Sequence, residues 1–286
     1  GVVKKGLKWL FDPESPFSIE LKPSIEMLAW LWKFRKAANP EHVISGANIF
    51  RELSLSSRDL YLELSKKMAF GLETKGILML CNSDDALTEE YKISAMARKI
   101  GMEAVDLDPN GVQLIEKGMK LTVLGGVHYP LDCNINPVKY LEALHDFLVD
   151  RGVKIFHNTT VSGLTVGNGN VESIKVSDQS WSGNHFVLAA GSLSSKLIQQ
   201  IGIKMPLMAG KGYSITMEAP IKKPTLPALL IEARIASTPM GAKWRFGGTM
   251  TVTDSNRKIN QKKLNAMLEA VQNYYPEYDI SWVSGL

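Results

Sequence analysis

The spacing of apolar residues predicts a mostly helical beginning to the chain. Apolar positions recur at helical intervals from Met27 to Phe34, and Ser24 is a suitable N-cap. The longer tract that follows also has helical spacing, with Ser57 and Asp59 expected near a turn or cap in its middle. The pattern predicts helices over 24–37, about 40–70, 85–97 and after 108–109, and a buried strand over 76–80.

From residue 121 onward the pattern changes to the short apolar runs that are typical of strands. Two of these runs are separated by Gly167-Asn168-Gly169-Asn170, which is a strong signal for a hairpin. We expect strands over 121–130, 153–156, 159–166, 171–178, 185–190, 210–218, 228–236 and 243–253, and helices over 137–149 and 260–273. Together these elements predict an α+β fold, in which a mixed or antiparallel sheet carries packed helices.

Composition places the chain among ordinary globular proteins and argues against a nucleic-acid partner. The 286 residues are 45% hydrophobic, and the net charge of +4 comes from 33 basic and 29 acidic residues without a dense basic block. Cys81 and Cys133 are too few and too far apart for a disulfide framework or a zinc site. We expect both to be small buried residues in a reducing, cytoplasmic compartment.

The beginning of the chain has neither an initiating methionine nor the apolar core of a signal peptide. No apolar run reaches the ~20 residues of a membrane span. We therefore expect the sequence to be an excised piece of a longer protein.

The sequence HFVLAAGSLSS at 185–195 predicts a strand, a glycine turn and a serine-capped helix, an arrangement that often holds a nucleotide. The nearest approach to a G-x-G-x-x-G fingerprint, at 167–172, lacks the third glycine and falls in the predicted hairpin, and no G-x-x-x-x-G-K-[S/T] occurs. The five histidines form no H-E-x-x-H or Cys/His cluster, and His145 is expected at a helix surface or core edge. We assign no catalytic residue and no metal ligand from these motifs.

Six stretches that follow one another along the chain resemble a single family. They are GLKWLFDPESPF at 6–17, GILMLCNSDDALTEE at 76–90, GGVHYPLDCNINP at 125–137, HFVLAAGSLSS at 185–195, KGYSITME at 211–218 and TPMGAKWRFGGTM at 238–250. In order and spacing they resemble the FAD-dependent D-amino acid dehydrogenases, within the D-amino acid oxidase, glycine oxidase and sarcosine oxidase family. The resemblance extends over nearly the whole chain.

The resemblance implies the substrate-binding portion of such a flavoenzyme together with a partial FAD-side segment. It divides the chain into a helical and strand region at 1–120, the FAD-side segment at 121–205, and an antiparallel substrate-binding sheet with a C-terminal helix at 206–286. Family members carry a G-x-G-x-x-G strand before the first of these regions and an arginine that grips the substrate carboxylate after the last. We therefore expect FAD to belong to a full-length parent, and the isolated chain to be inactive and not to retain it.

For the cofactor, the resemblance implies contacts from Val161 and from the turn Ala190-Gly191-Ser192. A small residue followed by glycine lets backbone N–H groups approach a bulky ligand. A plain turn between a strand and a helix is the alternative interpretation of the same residues.

For the substrate, the resemblance implies Tyr213, Arg234 and Thr249, and His128 is a further candidate. Tyr213 is expected to form one side of the amino acid pocket and to donate a hydrogen bond to the substrate carboxylate. The alternative is a tyrosine of the core. Arg234 is expected on a strand, facing substrate or solvent, and Thr249 follows a glycine pair that allows close approach to a ligand. For His128 a structural role is the favoured alternative.

The activity implied by the resemblance is oxidation of an amino acid at Cα, with hydride passing to flavin and the imino acid hydrolysing to a keto acid and ammonia. A glycine- or sarcosine-type oxidase and a non-catalytic binding module are the alternatives. Trp30, Trp32 and Phe34 lie among basic residues, which suits peripheral contact with the inner face of a membrane and a quinone acceptor. For Trp30 and Phe34 a core position is the favoured alternative.

Overall fold

The computed structural model describes residues 17–19, 25–252 and 259–282. Its helices are α1 Ile25–Ala37, α2 Pro40–Ser65, α3 Asp84–Lys99, α4 Pro109–Ile115, α5 Pro137–Val149, α6 Ser194–Gln199 and α7 Gln261–Gln272. Its strands are β1 Phe17–Ile19, β2 Ile77–Cys81, β3 Val105–Leu107, β4 Gly125–Tyr129, β5 Val161–Gly167, β6 Asn170–Val176, β7 Gln179–Ser182, β8 Gly210–Met217, β9 Ala228–Leu230, β10 Ile235–Met240 and β11 Lys243–Val252. The expected N-cap Ser24, most of the first family stretch and residue 253 lie outside the described residues.

The larger of two sheets runs through much of the chain and is mixed. Its strand order is β1-β11-β10-β9-β2-β4-β3, and β8 pairs with β11. The pairs β2 with β9 and β1 with β11 are parallel, and the other pairs are antiparallel. The predicted α+β fold with a mixed sheet is therefore confirmed, while the division into three regions stays a prediction.

The core lies where α7 packs against β8 and β11. Leu268 and Val271 on α7 are fully buried, as are Trp244 and Phe246 on β11. The Trp244 ring makes edge contact with the Tyr275 ring at a centroid separation of 5.2 Å. Since burial of such side chains stabilises a fold by about 1.5–3 kcal/mol each, this layer fixes the position of the sheet.

Side-chain caps explain where most of the longer helices begin. Asn39, Ser83, Asp108, Asn136 and Asn260 each accept a hydrogen bond from a backbone N–H in the first turn of the helix that follows. Proline also occupies an early position of α2, α4 and α5, where its missing N–H costs nothing. The helix predicted after 108–109 is confirmed by this arrangement.

The predicted break in the second helix is wrong. Helix α2 continues without interruption from Pro40 to Ser65, past Ser57 and Asp59. Both of these side chains are exposed on the surface of the helix. Arg58 between them instead donates from Nε to the carbonyl of Leu131 at 2.8 Å and ties the helix to the loop after β4.

Four strand predictions fail in whole or in part. Residues 121–124, 153–156 and 185–190 form no strand, and 228–236 is divided by a turn at 231–234. No described strand pairs with 153–156 or 185–190, and Val187 is 91% exposed. An apolar run becomes a strand only when a neighbour takes its backbone hydrogen bonds. The helix expected after 185–190 is confirmed as α6.

The smaller sheet contains β5, β6 and β7. The predicted hairpin joins β5 to β6, and its central residues Asn168 and Gly169 have φ of 52° and 78°. Positive φ at both positions is what a two-residue type I′ turn requires, so the hairpin prediction is confirmed. Cys81 is buried as expected, whereas Cys133 is only half-buried.

Candidate functional site

An open cavity of about 570 Å³ lies where β8, β11 and the turn before β10 meet. Three of the four predicted substrate residues, Tyr213, Arg234 and Thr249, line it together. The other lining residues are Gly210, Gly212, Ser214, Arg245, Gly247, Gly248 and Met250. Positions that are far apart in the sequence therefore converge on one site.

Strand register explains the convergence. Gly248 on β11 pairs with Tyr213 on one side and with Ile235 on the other, which brings Arg234 beside Thr249. The register between β8 and β11 shifts after Gly248, so that Thr249 is an extra residue in a bulge with φ of 49°. Bulges re-aim the chain and recur next to ligand sites.

The two glycines of the Gly247-Gly248 pair serve different purposes. A Cβ placed on Gly248 would lie 3.0 Å from the carbonyl oxygen of Arg234, so the close packing of the strands favours glycine there. A Cβ on Gly247 would meet no atom within 4 Å, and one on Gly212 would meet only the carbonyl oxygen of Thr249 at 3.8 Å. Gly247 and Gly212 therefore leave bare backbone facing open space, which suits the close approach of a flat ligand.

The charged residues that line the cavity are both arginines. Arg245 donates from Nη2 to Ser214 Oγ at 2.9 Å. Beside the cavity, Lys211 Nζ lies 5.0 Å from the centre of the Tyr213 ring. Among the described lining residues none carries a carboxylate, and this concentration of cations favours an anionic group such as a carboxylate.

Arg234 lies in the turn between β9 and β10 with φ of 53°, so its predicted place on a strand is wrong. The reason is Glu232, whose carboxylate accepts hydrogen bonds from the backbone N–H of Asn82 at 2.9 Å, from Ser83 Oγ at 2.8 Å and from the hydroxyl of Tyr274. Burial alone would raise the pKa of Glu232, but the hydrogen bonds from Tyr274 and Ser83 hold it below its usual value. Elements distant in the sequence thus anchor the turn that carries Arg234.

Thr249 has a second unfavourable feature besides its positive φ, which is an unsatisfied polar atom. Its hydroxyl oxygen is buried and has no hydrogen-bond partner among the described residues. A strained, unsatisfied residue of this kind is uncommon in a segment that only has to be stable.

The structure does not bring His128 to this cavity. His128 lies on β4 between Leu78 of β2 and Val105 of β3, and its Nε2 lies 3.2 Å from the carbonyl oxygen of Lys75. A role for His128 in substrate binding stays a prediction without support from its position.

The predicted cofactor residues lie around the small sheet. Val161 begins β5, which α6 contacts, and Ala190-Gly191-Ser192 precedes α6 as an exposed turn. Gly191 has φ of 55° and no atom within 4 Å of a Cβ placed on it. The predicted serine cap of α6 is wrong, because the cap residue is Leu193, which has no side chain able to accept the bond.

Arg245 and Glu232 are residues of the site that the motifs did not single out. Arg245 alternates with the buried Trp244 and Phe246, so the period-two pattern of β11 already places it on the opposite face from the core. No local pattern marks Glu232, because its partners lie in the connection between β2 and α3 and just after α7. Long-range contacts of this kind have no signal in a single sequence.

The described ranges contain no group of three or more His, Cys, Asp or Glu residues placed to hold a metal ion. Within the same ranges, no helix combines the length and the apolar character that a membrane crossing requires.

A family model described as FAD dependent oxidoreductase (DAO) matches residues 26–286. The D-amino acid dehydrogenase of Rhizobium rhizogenes is 26% identical over 98% of this chain and 69% of its own length. That of Granulibacter bethesdensis is also 26% identical, over 97% of this chain and 68% of its own length.

Solved structures show the same fold at low identity. Glycine oxidase from Bacillus cereus superposes with a TM-score of 0.69 at 21% identity, covering 84% of this chain and 65% of that structure. L-proline dehydrogenase from P. horikoshii gives a TM-score of 0.68 at 16% identity, covering 77% of this chain and 61% of that structure. The chain therefore spans less than two thirds of the length of these solved relatives.

Proposed function

The chain belongs to the DAO family of FAD dependent oxidoreductases, and from this premise we propose that it carries the substrate side of an amino acid dehydrogenase. The proposed reaction is the oxidative deamination of D-amino acids. The names of the curated relatives support this substrate class.

The observation that carries the proposal is the shared cavity of Tyr213, Arg234 and Thr249. In this proposal the guanidinium of Arg234, carried by the turn that Glu232 anchors, pairs with the substrate carboxylate. The Tyr213 ring, which also packs against the core, forms a wall that limits where the amino acid can lie. These residues bind and orient the substrate, which is the contribution that proteins make when a cofactor carries the chemistry.

Two places in the described chain fit a flavin nucleotide. The bare backbone at Gly212 and Gly247 has room for a flat ring, and the exposed turn at 190–192 presents unhindered backbone around Gly191. Bound FAD supplies the acceptor for the hydride that leaves the substrate Cα. We propose that Val161 and the 190–192 turn contact it in the parent protein, and that the isolated chain does not retain it.

Replacing Arg234 tests the proposal. Arg234→Asn keeps a residue that tolerates positive φ while removing the guanidinium. In the product of the full coding region, the loss of a charge-assisted hydrogen bond is expected to lower kcat/KM for D-amino acids by about 10- to 100-fold, mainly through KM. Lys99→Gln, which removes an exposed positive charge from the end of α3, is the matched control and should leave both constants unchanged. Equal kcat/KM in Arg234→Asn and wild type would rule out the cavity as the amino acid site.

The electron acceptor separates the proposed dehydrogenase from a glycine- or sarcosine-type oxidase, which the solved glycine oxidase neighbours favour. Turnover of D-amino acids with a quinone analogue but not with oxygen supports the dehydrogenase. Turnover of glycine or sarcosine with oxygen supports the oxidase. A full-length protein that binds an amino acid but no flavin is a binding module.

We also propose peripheral contact with the inner face of a membrane. Trp32 and Phe34 on α1 are 64% and 55% exposed, so the core position favoured for Phe34 is wrong. Phe34 stacks on Trp30 at 5.2 Å, and Lys36 Nζ lies 5.5 Å from the Trp32 ring. Cosedimentation with anionic vesicles, lost in Trp32→Ser and kept in Leu114→Ser, is the expected result. Equal sedimentation of both variants would contradict it.

A further inference from the structure

A pair of histidines faces each other well away from the substrate cavity. His145 lies on α5 and His157 in the segment that follows this helix, and their Nε2 atoms are 3.3 Å apart. The two ring centroids are 5.4 Å apart. Neither residue belongs to the proposed substrate or cofactor site.

Local contacts orient the His145 ring and fix the backbone at His157. His145 Nδ1 lies 3.1 Å from Asp146 Oδ1. Because a carboxylate accepts hydrogen bonds, this contact favours the neutral tautomer that is protonated at Nδ1, which leaves Nε2 of His145 available as a ligand. After α5, Gly152 with φ of 80° reverses the chain. Thr159 Oγ1 donates to the carbonyl of His157 at 2.9 Å and fixes the backbone there.

The separation of the two nitrogens matches a shared metal ion. Two imidazole nitrogens bound at about 2.0–2.1 Å to one tetrahedral ion lie about 3.3–3.4 Å apart, because they form one edge of the tetrahedron. The carboxylate on Nδ1 of His145 is the partner that metal-ligating histidines commonly have, since it orients the ring and raises its basicity.

The surroundings have room for the rest of a coordination shell. A cavity of about 720 Å³ is lined by both histidines, by Glu142 one turn before His145, and by apolar residues of α5. Since no third protein ligand is within coordinating distance in the described residues, water completes the shell. Imidazole ligands suit Zn²⁺, Cu²⁺ and Ni²⁺, whereas Mg²⁺ and Ca²⁺ require oxygen ligands.

We propose that His145 and His157 form a binding site for a divalent transition-metal ion, with Asp146 as the positioning residue of His145. The bound ion joins the 153–157 segment, which makes no strand, to helix α5. This site is independent of the proposed amino acid dehydrogenase activity.

Calorimetric titration of the untagged full-length protein with ZnCl₂, NiCl₂ and CuCl₂ tests the site. One ion is expected to bind per chain, and MgCl₂ should give no heat of binding. His145→Asn and His157→Asn should each weaken binding by at least about 10-fold, and Asp146→Asn by about 10-fold. His42→Asn, which removes another exposed histidine, is the matched control and should bind as wild type does.

All four positions are at least partly exposed, so the variants are expected to fold, which circular dichroism checks. If none of the three ions binds, the pair is a hydrogen bond between imidazoles and the proposal is overturned. Binding that is unchanged in His157→Asn overturns it as well. Neither result affects the assignment of the substrate cavity, because that is tested by Arg234→Asn.

Discussion

The region built on β8–β11 and α7 differs sharply from the segment 137–205 that carries α5, the small sheet and α6. In the first region most of the large apolar residues of strands and helix are buried, as Leu268 and Phe246 show. In the second, Leu141 and Val187 are 64% and 91% exposed. The first region forms its predicted strands, one of them divided by the turn at 231–234, whereas the second loses two of them. An apolar pattern thus specifies structure only where the described chain supplies a neighbour to pack against.

The largest expected effect compares two helical leucines. Leu268→Ala in α7 empties a fully buried position and should lower the free energy of unfolding by about 2–5 kcal/mol. Leu141→Ala in α5 removes a mostly exposed side chain and should change it by less than about 0.5 kcal/mol. Urea denaturation measures both. A cost at Leu141 equal to that at Leu268 would show that the two regions do not differ in packing.

A smaller loss of stability is expected when alanine replaces a glycine in the first region, and none when it replaces a glycine in the second. A methyl group on Gly248 would press on the Arg234 carbonyl oxygen and on Ile235 Cγ1, both at 3.0 Å. Gly248→Ala should therefore cost about 1–3 kcal/mol through overpacking. In the second region a Cβ at Gly183 would only reach ordinary contact with Phe186 at 3.5 Å. Gly183→Ala should leave the thermal midpoint within experimental error, and a large drop there would contradict the contrast.

The smallest expected effect is a pH-dependent difference in the free energy of unfolding. It compares the turn of Arg234 in the first region with the turn at 190–192 in the second. Glu232 anchors the turn of Arg234 through its carboxylate, and its pKa is lowered from the ordinary value of 4.5. Such a group contributes stability above that pH and loses it as the pH falls through the lowered pKa. The stability difference between wild type and Glu232→Gln should therefore be present at neutral pH and shrink below pH 4.5.

In the second region, Ser192 lies in the turn that corresponds to the turn of Arg234. Its side chain caps neither the short 3₁₀ turn nor α6, so it does not anchor that turn. Ser192→Ala should show no stability difference from wild type at any pH. Unfolding curves collected from acid to neutral pH measure both variants. A pH-dependent stability loss in Ser192→Ala equal to that in Glu232→Gln would contradict the difference between the two regions.

Much of the fold followed from local signals in the sequence. Asp108-Pro109 fixed the start of α4, and Asn168-Gly169 fixed the hairpin, because capping and turn chemistry act within a few residues. The failed strand at 185–190 and the divided strand at 228–236 depended on partners instead. For 228–236, the carboxylate of Glu232 inside the run is held by Asn82, 150 residues away in the sequence.

The candidate site was predicted unevenly for the same reason. The resemblance to the family implied Tyr213, Arg234 and Thr249, and the structure brings these three together. Arg245 was visible in the alternation of β11, but only a register between strands shows that it shares their cavity. The role of Glu232 and the contact between His145 and His157 could be found only in the three-dimensional structure. The spacing of these residues along the sequence matches no known motif.

The bulge in β11 gives Thr249 an unusual status within its strand. Gly248 pairs with Tyr213 and Met250 pairs with Gly212, so consecutive residues of β8 are matched as though Thr249 were absent. Deleting this residue would leave a regular ladder in which every following side chain keeps its side of the sheet. The sheet does not need Thr249, and we attribute its presence in the chain to the cavity that it borders.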